Sequence, residues 1–127
     1  MDVRVVIYDY QGQADDELSL SENTLVSVIS TTDDGWSQCR VLSGELRDQQ
    51  GLFPLNYLDT PSCIGNYNAM YDYVAQNEEE IDLKEGDKLE LLANDDPDWW
   101  LIRTAIGAFG FVPSSYIEPV CHLFLFY

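Results

Sequence analysis

The segment VIYDY at 6–10 returns as AMYDY at 69–73, and no other feature constrains the fold of this chain as tightly. The offset is 63 and runs without a gap for some thirty residues. Asp15, Asp16 and Glu17 meet Glu78, Glu79 and Glu80, and Leu18 and Leu20 meet Ile81 and Leu83. Val26 and Val28 meet Leu89 and Leu91, and Trp36 meets Trp99. Further on, GLFPLNYL at 51–58 returns as GFVPSSYI at 110–117, now with an offset of 59, so the first copy holds four more residues between its Trp and its Pro. A period of about sixty residues exceeds that of solenoid units and marks a duplicated domain. The expected division is a first domain over 1–59, a short linker over 60–66 and a second domain over 67–120. An apolar tail, CHLFLFY at 121–127, has no assigned role. The linker is placed where Pro, Ser, Gly and Asn gather with little to bury.

Within each copy the pattern is β. Short runs at 25–29, 88–92, 99–102 and 110–112 are strand-like, and Gly, Asp, Asn and Pro break them. No segment keeps apolar residues at helical spacing over several turns. The expected fold class is all-β, with two small five-stranded barrels in tandem. Candidate core residues are Val6, Leu18, Val28, Phe53 and Leu58 in the first copy. Those of the second are Ala69, Ile81, Leu91, Val112 and Ile117. Cys39 aligns with Ile102, which predicts a thiol buried as a small hydrophobe.

Charge narrows the choice of partner. The chain carries 23 acids against six bases, a formal net charge of −17. Residues 1–59 hold eleven acids and three bases (−8), and residues 60–127 hold twelve and three (−9). Such a surface repels phosphate backbones and anionic lipid heads, so nucleic acid is not an expected partner and basic ligands are favoured. No apolar stretch approaches the roughly 18 residues of a membrane span, so no membrane insertion is expected. The N-terminus lacks the basic and apolar regions of a signal peptide. Three widely spaced cysteines form no disulfide or zinc pattern, which fits a reducing, cytoplasmic setting. No cofactor and no metal site are expected. His122, the one histidine, sits in the tail, and neither a phosphate loop nor a nucleophile with a base is present, so no catalytic residue is assigned.

Tyr and Trp offer flat faces and polar tips at low entropic cost. Those are the features that grip a polyproline II segment, which has about three residues per turn and no internal hydrogen bonds. Each copy arranges them in one order. An ALYDY-like strand opens it, and seven residues on comes an acid, followed by ELSL or EIDL-type alternation. Then come an acidic turn and a Trp, and a G-φ-φ-P-x-x-Y strand (φ, apolar) closes the copy. This order resembles the SH3 family over residues 3–59 and 67–119. The resemblance implies SH3-like barrels whose peptide-binding slots are lined by Tyr8, Tyr10, Trp36, Pro54, Asn56 and Tyr57. In the second copy the matching positions are Tyr71, Tyr73, Trp99, Pro113, Ser115 and Tyr116. It also implies that Glu17 and Glu80 pair with an Arg or Lys flanking the ligand's prolines, with Asp34 and Asp98 among the acids nearby. Ser115, where the first copy has Asn56, puts one ligand-directed hydrogen bond of the second groove in question.

The second copy's DPDWWLIRTAIGAFGFVPSSYIEP also resembles the second SH3 domain of the fungal Sla-one-type endocytic adaptors. That likeness implies a monomeric adaptor module in the actin cytoskeleton and endocytosis, at cortical actin patches. Its implied partners are proline-rich proteins with basic residues beside PxxP, WASP-type actin-nucleation factors among them. Other readings are a structural or autoinhibitory module and a ubiquitin-binding SH3 pair. Tyr57 and Tyr116, retained where ubiquitin binders carry Phe, favour peptide. The hairpin at 41–50, longer in the first copy, lies near Trp36 in sequence; the expected reading is a plain longer loop, the other being one that alters that residue's surroundings.

Overall fold

The computed structural model describes residues 1–120, so the tail at 121–127, with Cys121 and His122, lies outside the described residues. Backbone contacts divide the chain into two compact units, Met1–Ser62 and a second beginning at Cys63. The first holds β1 (Val3–Val6), β2 (Leu25–Thr31), β3 (Trp36–Val41), β4 (Gln50–Pro54) and β5 (Leu58–Asp59), with a 3-10 turn at Leu55–Tyr57. The second holds β6 (Gly65–Ala69), β7 (Lys88–Ala93), β8 (Trp99–Thr104), β9 (Phe109–Pro113) and β10 (Ile117–Pro119), with a 3-10 turn at Ser114–Tyr116. Each unit is one five-stranded antiparallel sheet, in the order β4-β3-β2-β1-β5 and, equivalently, β9-β8-β7-β6-β10. The expected all-β class and two five-stranded folds are what the chain adopts.

The sheets follow from alternation. In β3, Ser37, Cys39 and Val41 are buried while Trp36, Gln38 and Arg40 are half-exposed, the period of two that one covered face requires. A register shift between Val28 and Ser30 in β2, and between Leu91 and Ala93 in β7, falls at positions 63 apart. An extra residue there bends the strand and increases its twist, which helps a small sheet curl over its own core. The first core gathers Val6, Leu18, Leu20, Val26, Cys39, Val41, Phe53 and Leu58. The second gathers Ala69, Leu83, Leu89, Leu91, Ile102, Val112 and Ile117. Val28 and Ile81, expected inside, pack on these clusters only half-buried, because each adjoins a bulge or a loop crossing. Cys39 is buried as expected, and burial pushes its thiol pKa up.

One boundary differs from the sequence expectation. β6 starts at Gly65, inside the stretch 60–66, because Gly65 and Asn66 pair with Leu91 and Glu90 and Ile64 N–H donates to Leu91 O at 2.8 Å. Gly and Asn composition suggested a linker, but available ladder partners decide. The loop at 42–49 is remote from Trp36, as expected of a hairpin that is simply longer. It leaves the far end of β3, where Leu42 is buried with its N–H on Leu25 O at 2.8 Å, and Leu25 N–H reaches Ser43 Oγ at 2.9 Å.

The feature that shapes the site is a long loop folded back over the closing hairpin. After β1 the chain runs out and returns, its arms bridged at Tyr10 and Leu20. It then crosses β4, where Leu18 N–H donates to Leu52 O and Leu52 N–H to Asp16 O, both at 2.8 Å. Such proximity requires glycine at the crossing. A Cβ on Gly51 would lie 3.0 Å from Asp16 O and from Leu18 Cγ, and one on Gly110 would lie 2.6 Å from Ile81 Cβ. These glycines fix the height of the loop and hence the positions of Glu17 and Glu80.

Candidate functional site

Along one side of the first unit stands a row of aromatic rings. Tyr8 meets Tyr57 edge-on at 5.4 Å, Tyr57 meets Tyr10 at 5.6 Å, and Tyr10 meets Trp36 at 6.3 Å. The second unit repeats it: Tyr71 to Tyr116 at 5.4 Å, Tyr116 to Tyr73 at 5.5 Å, Tyr73 to Trp99 at 6.3 Å. Edge-to-face contacts at these separations are favourable and leave furrows between the rings. Three elements hold the row. The irregular segment after β1 or β6 carries two tyrosines, and the 3-10 turn carries the third. These two are stitched together by Ile7 N–H on Tyr57 O (2.9 Å) and Met70 N–H on Tyr116 O (2.8 Å). Trp36 opens β3 and is paired with Pro54, as Trp99 opens β8 and is paired with Pro113. Tyr8 is 59% and Tyr71 56% exposed, so large apolar surface faces water in both units.

Asn56 and Ser115 sit at matching, exposed places on the 3-10 turns. Leu55 N–H donates to Gly35 O (2.9 Å) and Ser114 N–H to Asp98 O (2.9 Å), so each turn is tied to the loop before its tryptophan. In the second unit Ser114 Oγ adds a bond to Pro97 O at 2.8 Å.

The acids fall into two kinds. Glu17 and Glu80 turn inward onto the aromatic row: Tyr10 donates its hydroxyl to Glu17 Oε1 at 2.6 Å, and Tyr73 donates to Glu80 Oε1 at 2.5 Å. Gln13 N–H adds a bond to Glu17 Oε1 (3.0 Å), and Gln76 N–H one to Glu80 Oε1 (2.9 Å). The Gln13 amide, and after it the Tyr10 hydroxyl, hold the Glu17 carboxyl below the usual carboxylate range. The Tyr73 hydroxyl, and after it the Gln76 amide, do the same for Glu80. Reciprocally, donation to these carboxylates raises the pKa of Tyr10 and Tyr73 from 10.0 to about 12. Both carboxylates are therefore ionised and both phenols neutral near neutral pH.

Asp34 and Asp98 belong to the second kind, in the loops leading to the tryptophans. Asp34 accepts the Thr32 hydroxyl, while Thr32 Oγ1 in turn accepts Trp36 N–H at 3.1 Å. Asp98 is exposed. In its loop, Asp96 Oδ1 accepts both Asp98 N–H (2.8 Å) and Trp99 N–H (3.0 Å). Thr32 and Asp96 thus orient the two indoles. Sequence reasoning missed both as positioning residues, although a hydroxyl or acid a few residues before a strand is a loop-capping signal. Of the sixteen residues expected at the grooves, fourteen lie in these rows, turns and loops, and Pro54 and Pro113 end β4 and β9 opposite the tryptophans. Among the described residues no group of three His, Cys, Asp or Glu side chains could hold a metal ion.

Comparison with known proteins agrees with the duplication. A model of the SH3 domain matches residues 5–55 and again 68–114. The chain is 36% identical to the actin cytoskeleton-regulatory complex protein SLA1 of Vanderwaltozyma polyspora, over 90% of this chain and 10% of that protein. It is 38% identical to sla1 of Sclerotinia sclerotiorum, over 88% of this chain and 10% of that protein. With the SH2/SH3 adapter protein dreadlocks of Drosophila melanogaster it shares 32% identity, over 91% of this chain and 23% of the relative. The chain thus spans about a tenth of the length of the SLA1 relatives it matches.

Proposed function

The chain belongs to the SH3 domain family, and from that premise we propose that each unit is a non-catalytic clamp for proline-rich peptides with an Arg or Lys beside the prolines. The observation that carries the reading is the four-ring row, whose spacings differ by no more than 0.1 Å between units. Core packing alone would not leave Tyr8 and Tyr71 more than half exposed at equivalent places. The furrows between Tyr8 and Tyr57, and between Tyr57, Tyr10 and Pro54, take the proline rings. Tyr71, Tyr116, Tyr73 and Pro113 do so in the second unit. Asn56 and Ser115, at matching positions on the two turns, face the free carbonyls of a helix that has no internal hydrogen bonds. Trp36 and Trp99 offer indole faces to the basic residue, with Glu17 and Glu80 as ionised partners and Asp34 and Asp98 adding field.

Each groove is small and shallow, so a single contact is worth about −7 to −8 kcal/mol, in the low-micromolar range. A ligand with two motifs gains ~10²–10⁴ where its spacing lets both grooves engage. The SLA1 relatives are named for regulating the actin cytoskeleton. By that likeness the pair serves a longer cytoplasmic scaffold at cortical actin patches in endocytosis. There it recruits proline-rich actin regulators of the WASP type.

The test is amide NMR during titration with an arginine-flanked PxxP peptide, for the unaltered chain, Trp36→Lys and Trp99→Lys. Shifts should concentrate at the ring-bearing residues and vanish in the substituted unit alone, a loss of at least about 30-fold for a buried aromatic anchor. A folded chain without shifts in either row sinks the clamp reading and turns attention to ubiquitin or an intramolecular occupant.

A further inference from the structure

The two carboxylates that face the ligand's basic residue are held alike at Oε1 and differently at Oε2. In the second unit Asn77 Nδ2 donates to Glu80 Oε2 at 2.9 Å. Asn77 cannot readily swing away, because its Oδ1 accepts Glu79 N–H at 2.9 Å and Glu80 N–H at 3.2 Å. The position 63 residues earlier is Ala14, which has no side-chain donor. Its carbonyl does take Glu17 N–H at 3.1 Å, as Asn77 O takes Glu80 N–H at 3.3 Å, so the backbone turn is conserved between the units while the side-chain bridge is not. Among the described residues Glu17 Oε2 accepts no hydrogen bond.

A guanidinium binds a carboxylate best through a fork of two N–H groups, and each acceptor already engaged is one it must share or displace. Charge within the two overhanging loops does not differ, since Asp15 and Asp16 stand where Glu78 and Glu79 stand in the other unit. The loop before the tryptophan carries Asp95, Asp96 and Asp98 in the second unit against Asp33 and Asp34 in the first. That difference would by itself favour a basic residue in the second groove, so the contrast proposed rests on the carboxylate oxygens alone. We infer that Asn77 is a specificity-determining positioning residue: by engaging Glu80 Oε2 it makes the second groove less demanding of a basic ligand residue than the first, where Ala14 leaves Glu17 Oε2 open. The inference rests on the peptide-clamp reading and assigns the two grooves different ligands. The first selects for Arg beside the prolines, and the second accepts proline-rich segments whose flanking residue is polar and uncharged.

The experiment uses the full chain, labelled so that Tyr8 and Tyr57 report one groove and Tyr71 and Tyr116 the other. Two proline-rich peptides are titrated, identical except for Arg or Gln at the flanking position. The ratio of their affinities isolates the reading of charge from general stability. Expected is a preference for Arg of about tenfold in the first groove and about threefold in the second. Asn77→Ala should raise the second ratio toward the first, and Ala14→Asn should lower the first toward the second. Either ratio unmoved by its substitution, with binding intact, overturns the role of Asn77 while leaving the clamp in place. Binding of neither peptide by either groove overturns both.

Discussion

The two loops that overhang the grooves begin from one pattern and are secured by different chemistry. At the crossing over β4, the first loop meets Gly51 with a backbone oxygen and a leucine branch. Its counterpart meets Gly110 with the Cβ of Ile81, and more closely. At the arms, Gly12 N–H is held by the Ser19 hydroxyl (2.9 Å), whereas Ala75 N–H is held by the Asp82 carboxylate (2.8 Å). At the tip, Asn77 adds three bonds that Ala14 cannot make. Before the tryptophan, a threonine hydroxyl is replaced by a carboxylate accepting two N–H groups. The ring rows are nevertheless superposable in their spacings. Duplication has kept the apolar surface and let its polar fastenings diverge, and the second unit is the more heavily fastened.

The sharpest test of that contrast is at the crossings. Gly110→Ala must displace a β-branched side chain whose Cβ would stand 2.6 Å away. It should cost the second unit about 2–3 kcal/mol, against about 1 kcal/mol for Gly51→Ala in the first. Hydrogen exchange read separately in each unit measures both, and equal costs would remove the asymmetry. Next in size are the loop caps. Asp96→Ala orphans two N–H groups and should destabilise the loop before Trp99 by about 1–2 kcal/mol. Thr32→Val orphans one and should cost about 0.5–1 kcal/mol. Fluorescence of Trp36 and of Trp99 against denaturant, each followed in a chain whose other two tryptophans are replaced by Phe, would rank them.

Smaller effects concern ionisation. Tyr73→Phe removes the leading cause of the low Glu80 pKa, while Tyr10→Phe removes only the second cause for Glu17. Carboxyl carbon NMR should show a larger upward movement for Glu80. In both units the lowered carboxyls stabilise the fold above the ordinary carboxylate range, and that stability is lost as pH falls through their folded values. The raised phenols work in the other direction. Their contribution is complete below pH 10 and is lost as pH climbs toward about 12. The smallest difference is expected in ionic strength. With −8 on one part and −9 on the other, association of a basic peptide should slow with salt by the same factor at either groove. A rate indifferent to salt at one groove would break the equivalence.

The comparison also marks what could be read from the chain beforehand. The strands, the duplicated core and the ring rows were legible, because apolar alternation and aromatic spacing survive in a one-dimensional record. Gly51 and Gly110 appeared only as letters of a motif, since the reason for them is a loop more than twenty residues away in the sequence. Glu17 and Glu80 were expected to pair with a basic residue of a ligand. That each also gives one oxygen to a tyrosine of its own unit was not legible, because the partnership depends on loop trajectory. Asn77 carried no signal at all, because a polar residue in an acidic turn looks like any solvated side chain until its three partners are in place.

In each unit the first strand pairs with the last: Val5 and Val6 with Asp59 and Leu58, and Tyr67, Asn68 and Ala69 with Pro119, Glu118 and Ile117. Entry and exit therefore lie side by side and point the same way. A mechanical pull on the chain would load this ladder from one end, peeling hydrogen bonds in succession instead of shearing them together. Either unit would accordingly open under modest tension, at a rate set by its unfolding barrier. A ligand that bridges both grooves would then be released as soon as one of them gives way.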